Sequence, residues 1–253
     1  MSAAAPSAPT TAVDSLADAL EARGHAVLAP ADLARFAGTT VVELDALRPS
    51  WEALPLDAHL RDGGRYRRRR HASFVVDGSE LRLVPQRAHW QPIEYNALHG
   101  GLERWFEPIE AEVLAAAAWR GVVLAFASLA SRLKGLQPWY VEAHQFRIDT
   151  TDGIGRPTPE GAHRDGVDFV AVVLVGREGI KGGETRVFAA DGPAGQRFTM
   201  LEPWTTLVLD DARVIHESTP IQPLEGYGHR DTLVLTYRAG SFQGPGLKAA
   251  VDT

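Results

Sequence analysis

The chain has 253 residues, 45% of them apolar, a formal net charge of -6 and no cysteine. Such a composition supports a buried core in one domain. The acidic balance argues against nucleic acid as a partner, and the missing thiols exclude disulfides, cysteine nucleophiles, zinc–cysteine sites and iron–sulfur clusters. A cysteine-free chain also fits a reducing compartment, so the expected location is the cytoplasm.

The opening segment MSAAAPSAPTTAV has neither the basic nor the apolar region of a secretory signal and reads as a disordered tail over 1–13. A single domain is expected over 14–253, with a helix-and-strand buttress at 14–135 and a β core at 136–240. Asp14 begins a helix that ends at Gly24, and HAVLAP follows as a short strand. Residues 31–36 and 41–54 read as helical. Strand-like segments follow at 66–76, 81–84 and 88–92. The alanine-rich stretch 108–133 has helical spacing; Arg120 and Arg132 interrupt its apolar run, making it a core helix rather than a membrane span. The basic run Arg65 to Arg70 (RYRRRR) reads as a solvated strand edge. On a strand, however, alternate arginines face opposite ways, and those facing inward need carboxylates or substrate anions.

Beyond Gly135 the pattern becomes short strands separated by Gly, Pro and Asp: 139–149, 168–175, 184–189, 205–210, 213–217 and 230–237. The expected fold is α+β: a mostly β jelly roll, or double-stranded β-helix, with helices packed on one face.

Two His-Arg-Asp triplets occur, at His163/Asp165 and at His229/Asp231. A kinase catalytic loop needs an asparagine five residues past the aspartate. Val170 and Thr236 stand there, and no glycine-rich phosphate loop precedes either triplet. In extended chain, residues i and i+2 point the same way, so His163 and Asp165 can reach one ion. His216, at the end of the apolar strand DDARVIHEST, offers a third ligand. Two histidines and a carboxylate make the facial triad of non-haem Fe(II), which leaves positions open for a co-substrate and O2; zinc hydrolases use similar ligands. Arg230 and Thr232 share one face of RDTLVLTYR, with Leu233 and Leu235 on the other. A guanidinium beside a hydroxyl is a receptor for a carboxylate and suits the far end of 2-oxoglutarate. Asp231 would face away.

With these residues in place, His163-x-Asp165, His216 and Arg230-x-Thr232 resemble the Fe(II)/2-oxoglutarate dioxygenases. The segment KGGETRVF, with Gly182, Gly183, Glu184 and Thr185, resembles the glycine turn and strand placed between their metal ligands. More narrowly, HQFRI, GAHRDGVDFVAVVLVGREGIKGGETRVF, LDDARVIHESTPI and HRDTLVLTYR resemble the bacterial L-isoleucine dioxygenase family, which includes a biofilm stress and motility protein. The match spans roughly residues 139–240. It implies His163, Asp165 and His216 as metal ligands and Arg230 with Thr232 as the oxoglutarate clamp. It also implies hydroxylation of a small molecule, a free aliphatic L-amino acid, with release of succinate and CO2. Gln145 and Arg147 would then hold substrate or oxoglutarate, the alternative being a solvent-facing stripe. Asp210 and Asp211 are expected either to orient a ligating imidazole or simply to form a turn. Arg164, between two ligands, should point away from the ion. His89, His99 and His144 read as structural, and Trp204 as packing. Two other readings use the same ligands: a jelly-roll protein that binds metal and a 2-oxo acid without turnover, and a zinc hydrolase. Neither needs Arg230-x-Thr232.

Overall fold

Phe169 to Val175 form an unbroken apolar run, the pattern of a strand buried on both faces. In the computed structural model, which describes residues 7–96, 98 and 100–245, that run lies inside a seven-stranded antiparallel sheet. The helices are α1 (Leu16–Arg23), α2 (Pro30–Phe36), α3 (Val41–Asp45), α4 (Ala111–Ala115) and α5 (Ala117–Lys134). The strands are β1 (His25–Leu28), β2 (Arg67–Asp77), β3 (Glu80–Leu83), β4 (Trp139–Asp149), β5 (Phe169–Glu178), β6 (Ile180–Gly182), β7 (Thr185–Ala189), β8 (Gly195–Phe198), β9 (Thr206–Asp210), β10 (Val214–Ser218), β11 (Ile221–Pro223) and β12 (His229–Ala239). The large sheet has the order β1-β9-β5-β12-β4-β2-β3; smaller sheets β10-β7-β8 and β11-β6 complete the double-stranded β-helix.

Alternation along the strands sorts the two faces. Ala171, Val173, Leu233, Leu235 and Tyr237 pack outward against the helical layer of Leu20, Trp119, Val123 and Phe126. Val170 and Leu174 pack inward with Val187, Phe198, Met200 and Val214 of the smaller sheet and its flanks. The inner face of the large sheet therefore becomes the floor of whatever lies between the sheets. Its register is continuous across three strands: Arg230 pairs with Ile148 and Ile148 with Arg67, while Thr232 pairs with Phe146 and Phe146 with Arg69.

The structure corrects several expectations. Residues 7–13 are placed rather than disordered, with Ser7 bridged to Thr199 and the Thr11 N–H donating to Val27 O at 2.6 Å; residues 1–6 lie outside the described residues, as does His99. The helix expected over 41–54 stops after α3 and resumes as a 3-10 turn, Arg48–Trp51, because Pro49 has no N–H and crowds the preceding turn. The helix over 108–133 breaks at Ala116, which is extended at ψ 134. The strand expected over 88–92 reduces to one bridge, His89 with Arg104, in a segment bounded by Pro85 and Pro92. Strands β6, β8 and β11, three or four residues each, were not expected.

The basic run is not a solvated edge. Arg67 and Arg69 are buried and point inward, Arg68 and Arg70 are half-buried, and Arg65, before the strand, is exposed. The free side of β2 is covered by backbone: Arg69 N–H donates to Pro55 O (2.9 Å) and His71 N–H to Glu107 O (3.0 Å).

The helical layer sits close to its neighbours at Gly121 in α5, where a Cβ would overlap the carbonyl oxygen of Ala37 at the end of α2. In an open helix, Gly→Ala stabilises by about 0.5–1 kcal/mol. Here Gly121→Ala is expected to destabilise by about 1–3 kcal/mol through overpacking. Urea unfolding followed by circular dichroism checks the sign: an unchanged or raised midpoint would refute the close packing.

Candidate active site

His163 lies in the loop leading into β5, and His216 sits in the centre of β10. Their backbones form an isolated antiparallel bridge: His163 N–H donates to His216 O at 3.0 Å, and His216 N–H donates to His163 O at 2.9 Å. The bridge sets the two imidazoles side by side, ring centroids 4.6 Å apart. Asp165 reaches both, with Oδ1 at 3.8 Å from His163 Nε2 and Oδ2 at 3.8 Å from His216 Nε2. The three ligand atoms lie within 4.8 Å of one another.

The surroundings favour a cation. His163 Nδ1 lies 3.0 Å from the carbonyl of Gly161; a proton donated there leaves the Nε2 lone pair facing inward. Burial opposes a charged His163, but Asp165 and Glu160 outweigh it and raise its pKa. Burial, and then His163, hold the pKa of His216 well below its usual value, so that imidazole is a neutral donor. Burial raises Asp165, with His163 opposing, and burial with Asp165 pushes Asp211 up to about 7.

Asp211 organises the loop that carries two of the three side chains. Its carboxylate accepts the N–H groups of Asp165 (3.0 Å), Gly166 (2.7 Å) and Val167 (3.1 Å). Arg164 turns away from the triad and donates from Nε to the backbone oxygen of Asp211 at 2.7 Å. Gly166 has φ 75 and lies against the Tyr95 ring with no room for a Cβ. Asp210, by contrast, faces Lys134 at 3.7 Å and accepts the Ala212 N–H.

The triad opens into a cavity of about 930 Å³, its mouth included, with Arg230 and Thr232 in the same lining. Arg230 is buried, and among the described residues its Nη2 has no hydrogen-bond partner. Burial, then the neighbouring Arg177, lower its pKa to about 10, so it stays charged at neutral pH. Gly182 and Gly183, at φ 80 and 68, form the expected turn; a Cβ at Gly183 would stand 3.7 Å from the Arg230 side chain. Asp231 faces away, as expected, and pairs with Arg147 at 2.7 Å.

Gln145 and Arg147 do not enter the cavity. Gln145 donates to Ser50 Oγ at 2.8 Å, and Arg147 bonds Asp231 and Glu52 on the helical side of the sheet. The inward residues of β4 are Glu142, His144, Phe146 and Ile148, all of which line the cavity. Periodicity sets the alternation but not which set faces in: Gln145, Arg147 and Asp149 are all polar, as a cavity or solvent face would be, yet the cavity takes His144, Phe146 and Ile148.

His89 and His144, read as structural, belong with His71 and Glu142 to a second buried group whose ligand atoms also fall within 4.8 Å of one another. Its donors are already engaged by cations: Arg87 Nη1 donates to Glu142 Oε1 at 2.7 Å, and Arg69 Nη2 to His144 Nδ1 at 2.9 Å. Two guanidiniums at hydrogen-bond distance disfavour a divalent ion there. Burial keeps all three imidazoles below their usual pKa, that of His89 at about 3, so this is a neutral-imidazole network around one carboxylate. Trp204 packs as expected: it is buried, with φ 71, and donates from Nε1 to Asp45 at 2.8 Å. Sequence reading missed Gln91, which donates to Asp165 Oδ1 at 3.3 Å, and Arg104, which donates to Gln91 Oε1 at 2.8 Å; no motif marks either.

The comparisons agree with this architecture. The solved structure of a bsmA homologue from Methylobium petroleophilum PM1 is 53% identical, with a TM-score of 0.89 over 94% of this chain and 97% of that one. Two more distant structures share the fold. IDO from Bacillus thuringiensis is 18% identical, with a TM-score of 0.74 over 91% of this chain and all of the other. The Fe(II)/α-ketoglutarate-dependent dioxygenase TqaL is 19% identical, with a TM-score of 0.70 over 95% of this chain and 90% of that one. No curated protein sequence matches. The 2OG-Fe dioxygenase family model matches residues 48–236. With three quarters of its length inside that match and a 53% identical bsmA homologue beside it, the chain belongs to the 2OG-Fe dioxygenases, enzymes that depend on ferrous iron and 2-oxoglutarate.

Proposed function

We propose that His163, Asp165 and His216 hold the ferrous ion, that Arg230 with Thr232 binds the far carboxylate of 2-oxoglutarate, and that the enzyme hydroxylates a free aliphatic L-amino acid. The observation that carries the reading is Arg230: a buried guanidinium with an unpartnered Nη2, in the same cavity as the triad. A charge without a partner is costly in the interior, and a bound carboxylate removes that cost. The donor set also fits the metal, since two imidazole nitrogens and a carboxylate oxygen form the facial set of non-haem Fe(II). Zinc accepts the same donors, but a zinc hydrolase has no use for Arg230.

Iron and oxoglutarate together supply the oxygen activation, with succinate and CO2 as co-products. The chain's own task is to hold the substrate C–H bond in place and keep bulk water out. An aliphatic amino acid suits the lining. Phe146, Ile148, Val167, Val172 and Val234 offer apolar surface. Glu160, whose Oε2 is buried without a hydrogen-bond partner among the described residues, offers an acceptor for an ammonium group.

Three outcomes test the reading. Succinate release from oxoglutarate should require added ferrous iron and should accelerate with at least one aliphatic member of a twenty-amino-acid screen. Iron-dependent release that no amino acid accelerates would remove the substrate class while leaving the cofactors in place. Arg230→Ala should raise the oxoglutarate KM by about 30- to 1,000-fold, the cost of truncating one partner of a buried charge pair, while iron content by elemental analysis stays near wild type. Parallel loss of both would refute the clamp. Asp211→Asn keeps the volume but offers one acceptor oxygen in place of two to the three N–H groups. It should weaken iron affinity about 10- to 100-fold, as loss of an outer-shell partner does. Titration with ferrous iron measures this, and unchanged affinity would show that Asp211 is only a turn residue.

A further inference from the structure

The cavity contains more positive charge than the oxoglutarate clamp uses. Arg67, Arg69 and Arg104 also line it, and each has a buried guanidinium nitrogen with no partner among the described residues: Nη2 of Arg67, Nε of Arg69 and Nε of Arg104. Asp57 is bonded to Arg67 Nε at 2.7 Å, and Glu160 and Asp165, in the same lining, act on Arg104 and Arg69 without a hydrogen bond to either. Glu142 is taken up by Arg87 and two histidines. The three guanidiniums are held in place by contacts that leave these nitrogens unused. Arg69 lies between two rings, 3.9 Å from the Phe106 centroid and 4.6 Å from that of Phe146. Arg104 is fixed through Gln91 at 2.8 Å. Burial and the neighbouring guanidinium of Arg104 depress the pKa of Arg69 well below its usual range, as expected of like charges confined together.

The register places this cluster relative to Arg230. Arg67 and Arg230 lie in one row of the floor, on either side of Ile148, so two strand spacings, roughly 10 Å, separate their backbones. The floor thus presents two cationic stations, one on β12 and one on β2.

We propose that Arg67, Arg69 and Arg104 form a second anion subsite that binds a carboxylate of the substrate and so restricts the enzyme to substrates with a free acid group. This rests on the reading of Arg230 as the oxoglutarate clamp, which leaves the β2 cluster for the other ligand. Planar guanidiniums with unused N–H donors recognise carboxylates by paired, charge-assisted hydrogen bonds. Replacing such a carboxylate with an amide of similar shape removes charge without removing bulk.

The test uses the full chain with ferrous iron and oxoglutarate under anaerobic conditions and reads binding by calorimetry. The probes are L-isoleucine, L-leucine, L-isoleucinamide, L-leucinamide and branched-chain carboxylic acids lacking the amino group. Carboxylate probes should bind, and the amides should bind at least 10-fold more weakly. Arg69→Gln should weaken the carboxylates 10- to 100-fold, leave the amides unchanged and hold oxoglutarate affinity within about twofold. Arg104→Lys, which keeps charge but loses the fork, should give an intermediate loss and guards against misfolding of a single variant. A further readout separates the subsite from a merely structural role: without ligand, Arg69→Gln should melt no lower than wild type, because it removes one of three confined like charges. Amides that bind as tightly as acids, variants that leave acid binding unchanged, or a wild type that takes up oxoglutarate but none of the carboxylates would each overturn the subsite. Binding of the amine-free acids alone would sustain the subsite while ending the amino-acid reading. Failure to take up oxoglutarate would strike the Arg230 clamp instead, with acid-versus-amide discrimination still measurable.

Discussion

The two reciprocal backbone hydrogen bonds between His163 and His216 are the constraint on which the site depends. His216 belongs to the small sheet through β10, while His163 belongs to the loop that enters β5 of the large sheet. The bridge is where the two sheets meet, so the pair of imidazoles exists only in the closed double-stranded β-helix. Asp165 then follows from alternation in extended chain, and Asp211 holds that alternation by accepting three consecutive N–H groups. The triad is therefore set by backbone geometry more than by side-chain packing. Side chains support it from outside, through the Asp211 carboxylate and through Gln91, which Arg104 holds against Asp165.

The electrostatics divide the cavity by sign. Asp165, Asp211 and Glu160 lie at the triad; burial raises the first two above the usual carboxylate range, and for Asp211 the neighbouring Asp165 adds to it. Arg230 occupies one part of the floor, and Arg67, Arg69 and Arg104 another. Arg67 is paired with Asp57, but among the described residues each of the four arginines keeps a guanidinium nitrogen without a hydrogen-bond partner. A protein interior tolerates an unsatisfied buried group at a cost of roughly 1–3 kcal/mol, and a ligand of opposite sign removes that cost. A cation at the carboxylates and anions at the guanidiniums is the combination that a metal, an oxo acid and an acidic substrate provide together. The neighbouring His71, His89, Glu142 and His144 group differs because its charges are balanced: Glu142 has Arg87, and burial keeps the imidazoles neutral.

Much of this was legible in the sequence. Strand β4 is found at its expected limits, and β5, β7, β9, β10 and β12 lie close to theirs, because each is an apolar, β-branched run bounded by Gly, Pro or Asp. The triad could be read because His-x-Asp needs only two-residue alternation, and His216 follows the apolar pair Val214 and Ile215. The short strands β6, β8 and β11 were not legible: IKG, GQRF and IQP carry a glycine or proline and too few residues to show a period. The break at Ala116 has no proline or glycine to announce it. Gln91 and Arg104 sit in irregular chain, where no periodicity applies, and reach Asp165 only through tertiary contact.

The misplacement of Gln145 and Arg147 has a different origin, and it shows how parity passes between strands. On β12 hydrophobicity decides which residues face in, because Leu233 and Leu235 must meet the helical layer, so Arg230 and Thr232 take the other face. On β4 it misleads, since the more polar set, Ala143, Gln145 and Arg147, faces the helical layer while His144, Phe146 and Ile148 line the cavity. Cross-strand partners share a face, however, so pairing Arg230 with Ile148 fixes β4, and pairing Ile148 with Arg67 fixes β2 in turn. Once β12 is oriented, the arginine run has one solution: Arg67 and Arg69 inside, Arg68 and Arg70 outside. A single strand whose parity hydrophobicity can settle thus determines the charge of a cavity wall two strands away, where local composition suggested only a solvated edge.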